Sequence, residues 1–434
     1  MKEGYKEVRL GIKKLIVPDY WEKFAIEDKI NIVRGYAFKS KDYVKKGIFV
    51  LRVSNIKKNG YINLEKEAKF LPDFYYKKYQ KYKLCENDIL LVMVGASTGK
   101  IGLVDKSILP ALLNQNMWNL KIKSRDIDKH FFYFQMLNEI YRFLNMRIGS
   151  ARSYIKQKDF KKFMLILPPL PEQKKIAAIL SSVDAAIEKT DAIIDKTKQL
   201  KKGLMQKLLT KGIGHSEFKE VRLGPKTLEI PKTWEIYKIG FLTKKFLSGG
   251  TPSTKNKKYW GGKVHWITGA NIRNRLIDEG KTYITKKGLK NSSSNLVPAG
   301  NVILCTRTAV GNIGKNLIDI AISQDITGLI LKRNLVDVDY FVWMMINFKY
   351  LLKLYQQGST IKGITRNVLK NFEFPLPPLP EQKQIAAILI SVDNKIQTEQ
   401  SYKEQLEKLK KGLMQKLLTG EVRVKVASNN ESEE

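Results

Sequence analysis

Cysteine is nearly absent: Cys85 and Cys305 are the only two in 434 residues, too few for a disulfide framework or a metal cage. The three histidines, His130, His215 and His265, lie far apart in unlike contexts, so no metal-ligand spacing arises. No run approaches the ~18 apolar residues of a membrane-spanning helix. The opening Met1-Lys-Glu-Gly-Tyr-Lys-Glu-Val lacks the apolar core of a signal peptide. A metal-free cytoplasmic protein is expected, with no membrane partner. Acidic residues are also scarce, 42 Asp+Glu against 78 Lys+Arg, for a net charge of +36. That excess predicts a polyanionic partner, of which nucleic acid is the commonest. The basic residues run through the whole chain, unlike a cluster that grips an anionic membrane.

Catalytic signatures are lacking too. Gly95-Ala-Ser-Thr-Gly-Lys100 resembles a phosphate loop, but it is one residue short between its glycines and has Ile101 where Ser or Thr should follow. Pro18-Asp19 with Glu27-Asp28-Lys29 mimics a nuclease pattern, yet the related segment further on has Pro231-Lys232, so a loop and a helix start are the better reading. Neither a glycine-rich S-adenosylmethionine loop nor the Asp/Asn-Pro-Pro-aromatic signature of adenine methylases occurs.

What the chain does have is an internal repeat. Leu200-Lys-Lys-Gly-Leu-Met-Gln-Lys-Leu-Leu-Thr210 returns unchanged from Leu409 to Thr419. Pro168-Pro-Leu-Pro-Glu-Gln-Lys174 returns from Pro377 to Lys383 at the same offset, and Ile176-Ala-Ala-Ile-Leu180 from Ile385 to Leu389. A constant offset means one unit copied in tandem. Each copy reads as a long helix. Pro171 and Pro380 suit its first position and Glu172 and Glu381 its first turn, while Gly212 and Gly420 are natural stops. Ile176, Leu180, Val183, Ile187, Thr190, Ile194, Thr197, Lys201, Leu204 and Leu208 step by alternating four and three. In the second copy Ile385, Leu389, Val392 and Ile396 open the same seam and Leu406, Leu413 and Leu417 close it. That period marks a coiled coil, here a rod of roughly 60 Å. Gly203 and Gly412 interrupt good helix, which suggests close approach of the other helix or of a partner.

The repeat extends upstream. Lys6-Glu-Val-Arg-Leu-Gly11 recurs as Lys219 to Gly224, and Val17-Pro-Asp-Tyr-Trp-Glu22 as Ile230 to Glu235. Phe49 to Ile56 parallels His265 to Ile272, and Asp88 to Val94 parallels Asn301 to Arg307, all β-branched runs that read as strands. Ala37-Phe-Lys-Ser40 stands where the second copy has Ser248-Gly-Gly-Thr-Pro-Ser253. Gln115 parallels Gln324, Gly149-Ser150 parallels Gly358-Ser359, and aromatic helical segments precede both Gly-Ser pairs.

The expected fold class is α+β: two tandem pseudo-symmetric repeats, each a mixed α/β globular domain followed by a long helix. The domains are globular head 1 (1–165), helix 1 (166–213), globular head 2 (214–374), helix 2 (375–425) and a disordered polar tail (426–434). Compact domains keep their termini close, so the helices should run antiparallel, as a dumbbell with two different heads. Basic side chains on head loops are the candidates for DNA contact, because Arg and Lys reach phosphates and guanine edges. They are Lys57, Lys58, Arg152 and Lys156 in head 1, and Lys255, Lys257, Lys258, Arg273, Arg275, Lys362 and Arg366 in head 2.

The Pro-Leu-Pro-Glu-Gln-Lys openings, the Leu-Lys-Lys-Gly-Leu-Met-Gln-Lys-Leu-Leu-Thr-Gly closings and the Trp-Glu head openings make the chain resemble the specificity subunit of Type I restriction–modification systems, over essentially its whole length. The resemblance implies that each head is a target-recognition domain reading one half of an asymmetric bipartite sequence in double-stranded DNA. It also implies that the antiparallel coiled coil sets the gap and docks two methyltransferase (modification) subunits. Ile176, Leu180, Val183, Ile187, Gly203, Leu204, Ile385, Leu389, Val392, Ile396, Gly412 and Leu413 are the coiled-coil and partner-binding candidates. No cofactor is expected in this chain; S-adenosylmethionine, ATP and magnesium belong to the methyltransferase and restriction/translocase partners. The alternatives are a self-contained DNA endonuclease or methyltransferase with unrecognised motifs, and a scaffold that binds RNA or an acidic protein.

Overall fold

The computed structural model describes residues 3–11, 13–57, 60–62, 64, 67–146, 154–357 and 362–426. Two compact units result, residues 1–191 with 402–434, and residues 192–401. The expected partition set the long helices apart from the heads; here each of them, Leu170–Lys211 and Leu379–Leu417, is shared between the two units. Each unit owns one head, half of the first helix and half of the second. The tail beyond 426 lies outside the described residues.

In the first unit a four-stranded antiparallel sheet orders its strands Ile30–Arg34, Met117–Ile122, Ile89–Val92, Ile101–Leu103. A three-stranded sheet, Phe70–Leu71, Ile48–Leu51, Ala111–Leu113, completes the head. The second unit repeats this plan, enlarged: Thr243–Ser248, Ile326–Leu331, Val302–Cys305, Ile313–Asn316 and Leu276–Ile277 form one sheet. Thr282–Ile284, Trp260–Ile267, Ile320–Ile322 and Leu296–Val297 form the other. The predicted strand at Phe49–Ile56 is shorter than expected, Ile48–Leu51, and the one at His265–Ile272 is the end of a strand that starts earlier, Trp260–Ile267. Each ends in a 3-10 turn, Val53–Asn55 and Gly269–Asn271, which buries Asn55 and Gly269. The phosphate-loop look-alike leads into the strand Ile101–Leu103 rather than a helix, which removes that reading.

An aromatic helix packs against the larger sheet in each head. In the first it is Lys129–Asn145, capped by the Asp128 carboxylate, which accepts from Phe131 N at 2.9 Å. In the second it is Val338–Asn347, capped by Asp337 on Tyr340 N, also at 2.9 Å. The Pro-Glu-Gln opening of each long helix explains itself here. Gln173 and Gln382, both fully buried, take the amide of the capping aspartate (2.9 and 2.8 Å) and give their NH2 to Pro168 and Pro377 carbonyls. Glu172 and Glu381 accept the indole N–H of Trp21 and Trp234, each at 3.1 Å. One dipeptide thus ties the head's sheet-facing helix and its opening hairpin to the long helix. Gly212 ends the first helix with φ +66°, its Cα facing Trp234 and Glu381. The second helix stops at Leu417, short of Gly420.

Within each unit the two helix halves run antiparallel. In the first, Asp184 pairs with Lys410 (2.6 Å) and Asp191 with Lys403 (2.7 Å), so a step forward on one helix is a step back on the other. Val183, Ile187 and Leu406 bury the seam between those pairs. In the second, Lys201 pairs with Asp393 at 2.5 Å, while Leu208 and Leu209 join Ile385 and Leu389 in one core. Thr190 and Thr197, polar in the seam, satisfy their hydroxyls on the Ala186 and Ile193 carbonyls. Gly203 and Gly412 have nothing within 4 Å of where a Cβ would stand, so the other helix is not the reason for them.

Candidate nucleic-acid interface

In the second unit the strand Thr243–Ser248 must cross the end of its neighbour sheet. A Cβ on Gly249 would lie 1.8 Å from the Ser323 carbonyl, so only glycine passes. Gly250 N then donates to the Ile322 carbonyl at 2.8 Å. The crossing holds Thr251 beside Gln324, with the threonine hydroxyl donating to the glutamine carbonyl, and Ser248 beside Arg366, whose guanidinium donates to the serine hydroxyl. From the next strand end, the Thr306 and Arg307 amides both donate to the Asp325 carbonyl, at 2.8 and 3.2 Å. Thr308, at φ +58°, turns the chain so that its amide meets the Lys362 carbonyl at 3.1 Å. Thr251, Arg307, Thr308, Gln324, Lys362 and Arg366 are thereby gathered from four separate segments, all of them exposed.

This set joins three cations to amide and hydroxyl groups. Arginine can fork onto guanine O6/N7 and glutamine onto adenine N6/N7, and lysine supplies charge for phosphate. Its threonine hydroxyls donate to the Gln324 side-chain carbonyl and the Arg307 backbone carbonyl, and among the described residues no His or carboxylate stands on either to activate it as a nucleophile. The neighbouring Cys305 thiol is buried, and burial raises its pKa, which disfavours the thiolate. Among the described residues no group of three or more His, Cys, Asp or Glu could hold a metal ion.

The first unit builds the same crossing from other residues. A Cβ on Gly35 would lie 1.8 Å from the Asn114 carbonyl, so Gly35 is the counterpart of Gly249. The partner of Ser248-Gly-Gly is therefore Arg34-Gly35-Tyr36 and not the expected Ala37 to Ser40, because the register follows the backbone crossing rather than the similarity of side chains. Arg34 forks onto the Gln157 carbonyl at 3.0 and 2.6 Å, which exchanges the ends of the Arg366–Ser248 contact. Gln115 occupies the place of Gln324 and is likewise exposed.

Of the predicted contacts, Lys362 and Arg366 belong to this cluster, and Lys156 stands beside Gln157 on the exposed side of the first. Lys255, Lys257 and Lys258 are exposed on a neighbouring loop. Lys57 is exposed, and Arg273 lines a cavity with Asp278, Glu279 and Lys281. Lys58 and Arg152, and the Gly-Ser pairs, lie outside the described residues. Arg275 is a correction. Its side chain is 7% exposed, donates to Asp339 at 2.8 Å, reaches Asp393 at 3.5 Å and lies 5.1 Å from the Trp343 ring centroid. With both carboxylates engaging it, Arg275 ties head 2 to the long helix and is not available to DNA. Arg307, Thr251 and Gln324 were missed as a group; the Gln115–Gln324 repeat was the one signal that pointed at them.

The model of the Type I restriction modification DNA specificity domain matches twice, at residues 18–199 and 231–408. The chain belongs to that family. Both matches run from a head into a long helix, which is the repeat seen in the fold. Among relatives, the type I restriction enzyme MjaVIII specificity subunit of Methanocaldococcus jannaschii is 30% identical, with 98% of this chain and 97% of that protein covered. The EcoR124I/EcoR124II specificity subunit of Escherichia coli is 27% identical over 56% of this chain and 58% of its own. In structure, the chain shares its fold with a Type I restriction-modification S subunit from M. genitalium, at TM-score 0.60 and 14% identity, over 94% of this chain and 98% of that one. No helix among the described residues is long and apolar enough to cross a membrane.

Proposed function

We propose that this specificity-family chain is the DNA-recognition subunit of a Type I restriction–modification complex, working in the cytoplasm on double-stranded DNA. The observation that carries the reading is the pair of equivalent glycine crossings, Gly35 and Gly249, each presenting a different set of arginine, glutamine and hydroxyl side chains. Two unlike reading surfaces on one duplicated frame suit an asymmetric bipartite target, with the long helices setting the gap. Chemistry then falls to partner subunits, which would supply S-adenosylmethionine, ATP and magnesium sites.

Two copies of a modification subunit are the partners this reading calls for. Support comes from the helices' outer faces. Leu200 and Leu409 are 55% and 51% exposed, and each is followed one turn later by a glycine with open space over it. An apolar side chain beside a bare backbone stretch, repeated on both helices, offers the same docking surface twice.

The test is selection of bound sequences from random duplexes by the assembled complex. Wild type should yield two short half-sites at a fixed spacing. Arg307→Ala with Gln324→Ala should relax one half by about 1–3 kcal/mol per lost base contact and leave the other unchanged. A single contiguous motif, or equal damage to both halves, would refute the reading.

A further inference from the structure

Each head carries a second charged surface next to its reading cluster, in the same topological place. A five-residue helix, Phe74–Lys78 in head 1 and Lys286–Lys290 in head 2, follows a short strand paired to the inner strand of the smaller sheet. The two helices share no sequence pattern except lysine. Lys77 and Lys78 are exposed in the first and Lys81 in the turn just after it, and Lys286, Lys287 and Lys290 belong to the second, beside exposed Lys257 and Lys258. Among the described residues, none of these lysines takes part in an ion pair. On a chain this short of carboxylates, cations left unneutralised on a fixed frame are sites for an outside anion.

The frame is fixed in both heads, by different means. In head 1 Tyr75 and Tyr79 stack at 5.3 Å, and Tyr36 lies on Tyr79 at 4.8 Å. In head 2 Thr285 donates its amide to the Tyr259 carbonyl and its hydroxyl to the Lys258 carbonyl, both at 2.9 Å. Each frame is also joined to the reading cluster. Tyr36 is the residue after the Gly35 crossing. Trp260 packs edge-on to Trp266 at 5.3 Å, and Trp266 donates its indole N–H to the Gly250 carbonyl at 3.1 Å. A ligand that spans both surfaces is therefore extended and polyanionic.

We infer that these paired lysine platforms are backbone clamps, which grip the phosphates of duplex DNA beside each half-site while the glycine-crossing loops read the bases. The inference rests on the proposed DNA-recognition function. Lysine is the appropriate residue, since a flexible point charge contacts phosphate without distinguishing one base from another.

The experiment is the salt dependence of duplex binding by the full chain, with the selected target and with a scrambled duplex. Lys77→Gln, Lys78→Gln and Lys81→Gln combined should lower the slope of log K against log salt by about 2–3, since each phosphate contact contributes about 0.9. Affinity should fall by the same factor on target and scrambled duplex, and the preferred half-sites should not change. The Arg versions of the same three positions should restore the slope. The triple change in head 2, at Lys286, Lys287 and Lys290, should repeat the result independently. An unchanged slope in folded protein, a loss confined to the target sequence, or tighter binding of duplex RNA than of DNA would overturn the clamp. Failure of wild type to prefer any target over scrambled duplex would count against the recognition function instead, and the slope comparison would still decide the clamp.

Discussion

The two heads are fastened to the same helical frame by unlike chemistry. In the second unit Asp393, on the long helix, faces Lys201 from the other helix and Arg275 from the head, and Lys315 joins through Asp339 at 2.7 Å. In the first unit the equivalent Asp184 faces Lys410, but the head sends Tyr61, whose hydroxyl donates to the Asp184 backbone carbonyl at 3.3 Å. The aromatic floor is repeated too, with Lys201 4.7 Å from the Trp343 centroid and Lys410 5.4 Å from that of Phe134. The Asp–Lys pair between the helices is thus the same in both units, while the head-to-helix contact at that aspartate is ionic in one and neutral in the other; the Asp191–Lys403 pair of the first unit has no counterpart, since Gln400 and Ile194 stand at the equivalent places. Duplication preserved the frame; divergence was admitted where a head meets it.

The largest way to break this comparison is to remove the aspartates. Asp393→Ala leaves the partly buried Lys201 without its carboxylate and Arg275 with Asp339 alone, and should destabilise the second unit by about 3–5 kcal/mol. Asp184→Ala orphans Lys410 alone and should cost less, roughly 1.5–3 kcal/mol. Urea unfolding followed at the indoles separates them, since Trp234, Trp260, Trp266 and Trp343 report the second unit, Trp21 and Trp118 the first. Equal losses would show that the Arg275 contact adds nothing.

A smaller effect is expected where the two units agree. Gly203→Ala and Gly412→Ala place a methyl group in open space on a helix, and should each stabilise the chain by about 1 kcal/mol. If the bare backbone is there for a partner, the same changes should weaken association with the modification subunit, and to a similar degree at both sites. Pull-down with the single and double variants measures this; full retention of binding would leave the glycines without a docking role.

The smallest effect is a pH dependence in the first unit. Burial raises the Asp184 carboxyl above its ordinary range, against the downward pull of Lys410. The folded state then holds this proton more tightly than the unfolded chain does. Its contribution to stability is present below the unfolded pKa and is lost as pH rises through the folded one. The stability difference between wild type and Asp184→Asn should accordingly fall with rising pH in the acid range and level off above it. A difference that grows with pH would contradict this.

Much of the frame was legible in the chain. Ile176, Leu180, Val183 and Ile187 bury as their spacing requires, since a helical stripe is a property of neighbouring residues and needs no knowledge of the rest of the fold. The site was far less legible. Arg273 and Arg275 stand two positions apart in one basic loop, yet one is exposed and the other is held between two carboxylates. Nothing local to that loop distinguishes them, because Asp339 and Asp393 arrive from distant helices.

By itself, then, the sequence determined the duplication, the long amphipathic helices, the excess of positive charge and the family, all of which are written in periodicity, composition or direct repetition. The tertiary structure alone decided which cations remain free for an anion, where the glycine crossings place Arg307 beside Lys362 and Gln324, and that Gly35 rather than a later residue answers Gly249. Those depend on sheet pairings between segments far apart in the chain, where one backbone passes within contact of another carbonyl, and no short-range pattern encodes such a meeting.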